Sequence, residues 1–261
     1  MTEQQKLWIL AGVCVLIIGA VFAFAPPIAQ DPDYHHFSDP RGWLGIPNFG
    51  DVISSALFIP AGLYGLWMMG KRHAEPARLP LQVFFFGMIL VAPGSAYYHW
   101  VPDNGALFWD RLPMTVVFMS LTAAVIADRI DAPRGVRFGL PVLILGGVAS
   151  VIYWRITEAA DMGDLRAYAL VQFLPMVAIP LMLWLFPGGQ GRARTIGWRA
   201  IGAAFVFYGL AKVVEHFDTQ VLEMLGGAVS GHTLKHMFAA MGPAALAYFL
   251  TPQDLPSSPS A

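Results

Sequence analysis

Apolar segments long enough to cross a membrane recur along the whole chain, with short polar loops between them. A transmembrane helix needs about 20 predominantly apolar residues. We predict eight spans, at approximately 7–25, 51–70, 81–99, 108–127, 138–154, 167–186, 198–216 and 233–250. The pattern therefore predicts an all-α, polytopic membrane helix bundle.

The composition supports this class. Of the 261 residues, 56% are hydrophobic and only 13% are charged, whereas a soluble domain carries about 25% charged residues. The net charge of -1 gives no reason to expect nucleic-acid binding. Cys14 is the only cysteine, so an internal disulfide and a cysteine-based metal site are both excluded.

The first apolar segment could be either a cleaved secretory signal or a retained membrane anchor. Its apolar core is long for a signal peptide, and Lys6 is the only basic residue before it. Pro26 directly follows the Ala23-Phe24-Ala25 sequence that resembles a cleavage site. We predict an uncleaved anchor.

Charged residues in the loops predict the orientation of the spans. Basic residues lie in the loops after the second, fourth and sixth spans, and acidic residues dominate the alternate loops. The basic set is Lys71, Arg72, Arg78, Arg129, Arg134, Arg137, Arg192, Arg194 and Arg199. Because basic loops face the cytoplasm, both termini are predicted to be cytoplasmic.

Five polar residues in apolar surroundings are predicted to share one membrane level. His232 and His236 are four residues apart near the outer start of the last span, so they project from one helix face. Ser95 and His99 lie at the outer end of the third span, and Asp110 lies at the outer start of the fourth. Polar groups at such depths are costly and usually functional.

These residue types can form a catalytic zinc site. Three imidazoles, from His99, His232 and His236, match the three protein ligands of catalytic zinc, which lowers the pKa of its bound water. Asp110 would carry protons, and Ser95 would donate a hydrogen bond to an oxyanion. Taken singly, the same residues also fit interfacial side chains or a haem site between helices.

The ordered set Ser95-x-x-x-His99, Asp110 and His232-x-x-x-His236 resembles the alkaline ceramidase family. That family belongs to a superfamily of seven-helix membrane hydrolases that includes progestin/adiponectin receptors and GPI-lipid remodelling enzymes. The resemblance implies zinc on the three histidines, with Ser95 and Asp110 assisting. It implies an amidase that cleaves the N-acyl bond of ceramide, giving a sphingoid base and a fatty acid.

The resemblance divides the chain, and the loop charges and composition place its parts relative to the membrane. The resemblance implies a seven-helix hydrolase core over residues 30–251, preceded by one additional N-terminal transmembrane helix within residues 1–29. Residues 252–261 would form a disordered cytoplasmic tail. The active site would lie near the outer face of the cell membrane, where the partner is a membrane lipid.

Alkaline ceramidases also hold calcium in the segment before the first core helix, which makes Asp33, Asp39 and Asn48 candidate calcium ligands. His35 to Phe37 occupy the middle of the acidic run that the family has there. An interfacial loop without calcium is the alternative for this segment.

Three other functions stay open at this level. A receptor-like lipid-binding protein of the same superfamily would use zinc structurally, and a lipid ester hydrolase would use the same site on a different bond. A haem or proton-handling protein would use only the paired histidines.

Overall fold

The computed structural model describes residues 1–70, 76–187 and 196–250, and within these ranges the chain is helical with no strand. The long helices are α1 (Glu3–Phe24), α3 (Phe58–Gly70), α4 (Arg78–Trp100), α5 (Asn104–Arg129), α6 (Leu140–Ala159), α7 (Arg166–Leu185), α8 (Trp198–His216) and α10 (Gly231–Phe249). Short elements are α2 (Phe49–Ser54), α9 (Asp218–Met224), two 3₁₀ turns (Pro32–His35 and Ser55–Leu57) and a π turn (Arg134–Gly139). The all-α prediction is confirmed.

Each predicted span coincides with a helix, but the helices are not equally apolar. Within the described residues, six segments are long and apolar enough to cross a membrane, and α8 with α9, bent by 84°, would be a seventh. The last predicted span, α10, is not among them. It is the helix that carries His232, Lys235 and His236, which lower its mean hydropathy.

Some of the predicted features fall outside the described residues. Lys71 and Arg72 of the second loop, Arg192 and Arg194 of the sixth loop, and the tail 252–261 all do so.

Helix α5 lies at the centre of the bundle, against α4, α6 and α7. Its buried hydroxyls are satisfied by its own backbone: Thr115 donates to the Leu112 carbonyl and Thr122 to the Phe118 carbonyl. An unpaired polar group in an apolar environment costs several kcal/mol. These hydrogen bonds to the backbone therefore allow the threonine hydroxyls to be buried in the bundle.

Helix α1 lies at the periphery, where it contacts α7 and buries none of its own residues. Its C-terminal end is tied to the loop between α6 and α7. Arg166 Nη1 donates to the Ala25 carbonyl at 2.8 Å, and the Leu165 amide donates to the Ile28 carbonyl at 2.8 Å. Leu10 and Cys14 of α1 also pack against the hydrophobic core, so α1 is held along one side as well as at its C-terminal end.

An ion pair stabilises this tether, by which we mean the hydrogen bonds of Leu165 and Arg166 to the chain that follows α1. Arg166 makes two side-chain hydrogen bonds to Asp164, of 2.9 and 2.8 Å, and Tyr153 Oη donates to the same carboxylate at 3.0 Å. Hydrogen bonding from Arg166 lowers the pKa of the Asp164 carboxyl, which lies in the loop, to about 2. The tether is therefore fully formed at neutral pH.

Candidate metal centre

The three histidines from the sequence pattern converge in the structure. His99 of α4 and His232 and His236 of α10 each offer a nitrogen, and these nitrogens all lie within 4.8 Å of one another. All three side chains are buried, and their ring centroids are 4.7 to 5.1 Å apart. Among the described residues, these three histidines form a group that could hold a metal ion.

The spacing of one pair of nitrogens matches that of two ligands on a tetrahedral ion. His99 Nε2 lies 3.2 Å from His236 Nε2. Two ligands at Zn–N distances of about 2.0–2.1 Å in a tetrahedron are separated by about 3.3–3.4 Å. His99 Nδ1 is buried without a hydrogen-bond partner among the described residues, so its imidazole has no neighbour that would hold it charged. Neutral, closely facing imidazoles are the donor set that zinc prefers.

Two residues of α2, Ser54 and Asp51, set the tautomer of His236. Ser54 Oγ lies 2.8 Å from His236 Nδ1 and donates its own hydrogen to the Asp51 carbonyl at 3.2 Å. Because the serine hydrogen is used, Nδ1–H of His236 is the donor and its Nε2 keeps a free lone pair. Such outer contacts orient metal-binding histidines and fix their tautomer.

Two carboxylates hold the start of α10. Asp218 accepts a hydrogen bond from the His232 amide at 2.7 Å. Asp51 accepts one from Thr233 Oγ1 at 2.7 Å and one from Ser230 Oγ at 3.3 Å. Ser230 also caps the helix by accepting from the Thr233 amide at 2.9 Å. Acidic groups at a helix N-terminus complement its dipole, so α2 and α9 fix the depth and rotation of His232.

Glycines next to the site residues allow two pairs of helices, α4 with α5 and α10 with α8, to approach closely. A Cβ at Gly94, just before Ser95, would overlap the Trp109 carbonyl oxygen of α5. A Cβ at Gly231, just before His232, would overlap the Val214 carbonyl oxygen of α8. Both positions therefore need glycine, as in the small-residue contacts of membrane helices.

Ser95 and Asp110 line a cavity beside the histidines. Ser95 Oγ lies 3.4 Å from His236 Nε2 and accepts a hydrogen bond from Ser55 Oγ at 3.0 Å. Asp110 is half-buried, and the cavity that it lines is bounded by Ser95 and His236 as well. The structure thus brings all five predicted site residues together.

The cavity is polar near the histidines and apolar beyond them. Its volume is about 170 Å³, and a single water needs only about 10–15 Å³ by this measure. The apolar lining includes Phe84, Met88, Val91, Met114, Val117, Phe118, Leu121, Met176 and Phe205. On α5 alone it extends from Asp110 to Leu121, which is about 16 Å at 1.5 Å per residue.

A charged group on α8 and α10 forms another wall of the cavity. Glu215 pairs with Lys212 and with Lys235, each at 2.7 Å. Lys235 Nζ also lies 3.1 Å from His232 Nε2. This contact and a metal on that nitrogen are alternatives, and Glu215 would hold the ammonium in either case. The spacing of Lys212 and Glu215 in the sequence predicts their ion pair. It does not predict that Lys235 contacts both Glu215 and His232.

Each of the three candidate calcium ligands contacts another residue of the chain, and calcium binding stays a prediction. Asp39 makes two hydrogen bonds to the Arg41 side chain, of 2.6 and 2.7 Å, and this hydrogen bonding lowers the pKa of its carboxyl. Asp33 is exposed and contacts His36. Asn48, in the left-handed backbone region at φ 45°, donates from Nδ2 to the His99 carbonyl at 2.8 Å. Asn48 thus braces a histidine of the candidate metal centre.

Comparisons of the chain with protein-family models, with curated proteins and with solved structures returned no match.

Proposed function

We propose that this protein is a zinc-dependent intramembrane hydrolase that cleaves the N-acyl amide bond of ceramide-like lipids to a sphingoid base and a fatty acid. The observation that carries the proposal is the convergence of three buried imidazoles beside Ser95 and Asp110, at one end of a largely apolar cavity.

His99, His232 and His236 would hold the zinc ion, leaving one coordination position for water or substrate. Zinc bound there supplies Lewis-acid polarisation of a water and of the substrate carbonyl. The Ser54 contact favours this use of His236, because it leaves Nε2 with a free lone pair directed at the other two rings.

Asp110 and Ser95 would handle the proton and the developing charge. Asp110 would accept the proton of the attacking water and pass it to the leaving amine, which is general base and then general acid catalysis. The Ser95 hydroxyl would donate a hydrogen bond to the carbonyl oxygen as it becomes negative. Ser95 Oγ accepts from Ser55 and its hydrogen is shared with the Asp110 carboxylate, so this hydrogen would turn from Asp110 to that oxygen during the reaction.

The apolar part of the cavity favours a lipid substrate. Its lining runs about 16 Å along α5, enough to hold a long stretch of acyl chain, while the amide would remain at the polar end. A small soluble amide would leave this apolar surface without a partner. An acyl chain in an apolar cleft with a few converging polar groups is the usual arrangement of a lipid-binding site.

The proposal includes an arrangement in the membrane. The seven-helix hydrolase core would consist of α2 with α3 as one span, followed by α4, α5, α6, α7, α8 and α10. Helix α1 would be the additional N-terminal span. Both termini would be cytoplasmic by the distribution of basic residues. The candidate metal centre would then lie near the outer face.

Metal analysis of the purified protein, combined with hydrolysis of a matched panel of lipid amides and esters, tests the function. We expect about one zinc per chain and release of fatty acid from the amides. His232→Ala should lose both the zinc and the turnover. Asp110→Asn should retain zinc and lose at least about 100-fold in kcat, the size of a general acid–base contribution.

The same panel separates the remaining functions. Hydrolysis of esters alone would replace the amidase by an ester hydrolase at the same site. Lipid binding with bound zinc and no hydrolysis of any probe would replace it by a receptor-like protein with structural zinc. Normal zinc content and turnover in His232→Ala would contradict the proposal.

A further inference from the structure

The polar end of the cavity contains a buried arginine that no carboxylate pairs with. Arg111, on α5 next to Asp110, is only 7% exposed and lines the cavity. Its Nη2 donates to Gln30 Oε1 at 2.7 Å, but its Nη1 has no hydrogen-bond partner among the described residues. Such a buried, unpaired donor costs more than about 1–3 kcal/mol when it is charged.

Aromatic rings hold the Arg111 guanidinium in place without neutralising it. Its Cζ lies 4.4 Å from the Trp154 ring centre, 5.0 Å from that of Tyr168 and 5.8 Å from that of Tyr34. Cation–π contacts favour the cation but leave its in-plane N–H groups free to donate. The planar fork that remains suits a carboxylate or another oxyanion.

The charges around the cavity add up to an excess of positive charge. Its charged lining consists of three cations, Arg111, Lys212 and Lys235, and two carboxylates, Asp110 and Glu215, which gives a net charge of +1. Three neutral histidines with a divalent ion would add two more positive charges beside it. In a water-poor, membrane-embedded site such an excess is costly unless a bound anion balances it.

We propose that this end of the cavity is a subsite for an anionic group on the amine side of the lipid amide, with Arg111 Nη1 as its anchor. The inference rests on the proposed zinc amidase chemistry, and it names N-acyl amino acids in place of ceramide as the lipid amide that is cleaved. Ceramide is neutral on its amine side and would leave Arg111 unpaired. An N-acyl amino acid places a carboxylate a few atoms from the scissile amide.

Two probes with the same acyl chain test this subsite: N-palmitoylglycine, which carries a carboxylate, and N-palmitoylethanolamine, which is neutral. We expect the zinc-loaded protein to have a kcat/KM at least tenfold higher for the anionic probe. In Arg111→Gln this ratio should fall ten- to hundredfold, mainly through KM, and Arg111→Lys should recover part of it. Arg137→Gln, which changes an exposed arginine outside the cavity, should leave the ratio unchanged.

A purely structural role of Arg111 predicts a different result. Loss of its contacts with Gln30 and Trp154 would lower turnover of both probes by the same factor and would lower thermal stability. An unchanged ratio in Arg111→Gln, whatever the absolute rates, would overturn the subsite.

Binding measurements test the anionic subsite separately from the proposed hydrolysis. Both probes are titrated into Asp110→Asn protein, and into wild type if the wild type hydrolyses neither. Tighter binding of N-palmitoylglycine that depends on Arg111 supports the subsite even if hydrolysis is absent. If instead palmitate binds in an Arg111-dependent way and the two amides bind equally well, Arg111 would be assigned to the carboxylate of a fatty acid. That result would overturn N-acyl amino acids as the substrate class.

Discussion

The first and last described helices are similar in length but opposite in character. Helix α1 is highly apolar, buries none of its residues and is among the helices apolar enough to span a membrane. Helix α10 is not among them, yet it buries eight residues and carries two of the three histidines. The polar side chains that make α10 part of the candidate metal centre also lower its hydropathy below the level expected of a membrane span.

Matched glycines give the largest expected contrast between the two helices. Gly231→Ala places a methyl group against backbone atoms of Val214 and Asp218 that cannot rotate away, whereas Gly19 on α1 has no neighbour within 4 Å. We expect Gly231→Ala to cost about 3 kcal/mol, the upper part of the usual range for overpacking, and to lose bound metal. Gly19→Ala should be neutral in thermal unfolding and metal content, and an equal loss in both would remove the contrast.

Matched leucines give the next contrast. Leu246 of α10 is 0% exposed and Leu16 of α1 is 72% exposed. Leu246→Ala should cost about 2–3 kcal/mol, the low part of the range for buried leucines, because lipid tails rather than water are the outside solvent. Leu16→Ala should change the free energy of unfolding by less than about 0.5 kcal/mol. Denaturation in detergent or bicelles measures both, and a large effect at Leu16 would mean that α1 has a buried partner.

Serine substitutions separate the site from the rest of the core. Ser54→Ala removes the acceptor of His236 Nδ1–H and should weaken zinc affinity about 10–100-fold, as loss of such outer contacts does. Ser150→Ala is the control, since Ser150 is buried in α6 and bonds only to the Gly147 carbonyl. Competition with a zinc chelator gives both affinities. Equal affinities in the two variants would mean that Ser54 does not orient the histidine.

The smallest expected effect concerns the tether of α1. The pKa of Asp164, lowered to about 2 by Arg166, lies below the unfolded value of about 3.9. Its stabilisation is therefore present above about pH 4 and is lost as the pH falls towards 2, a difference of at most roughly 2 kcal/mol. The gap in unfolding temperature between wild type and Asp164→Asn should close between pH 4 and pH 2. A gap that is independent of pH would contradict this.

The sequence predicts the metal-binding face of the site because that face is periodic. The spacing of His232 and His236, and of Ser95 and His99, places each pair on one helix face, and loop charges bring the helix ends to one level. The close contact of Gly94 with α5 is not part of that periodicity.

The supporting contacts were not predictable in the same way. Ser54, Asp51 and Asp218 act on α10 from short elements elsewhere in the chain, and no helical period encodes such contacts. Asn48 was a candidate calcium ligand by resemblance, but its side chain donates to the His99 carbonyl. The role of Arg111 was also hidden, because an arginine beside an aspartate suggests an ion pair that the structure does not contain.

The separation of the ligands also bears on biosynthesis. His99 and His236 are 137 positions apart, and His232 is held by carboxylates that precede it in the chain. A ribosome delivers His99 long before the other two histidines, so the three can come together only once α10 has packed into the bundle. A metal ion held by all three would therefore report that this packing step is complete.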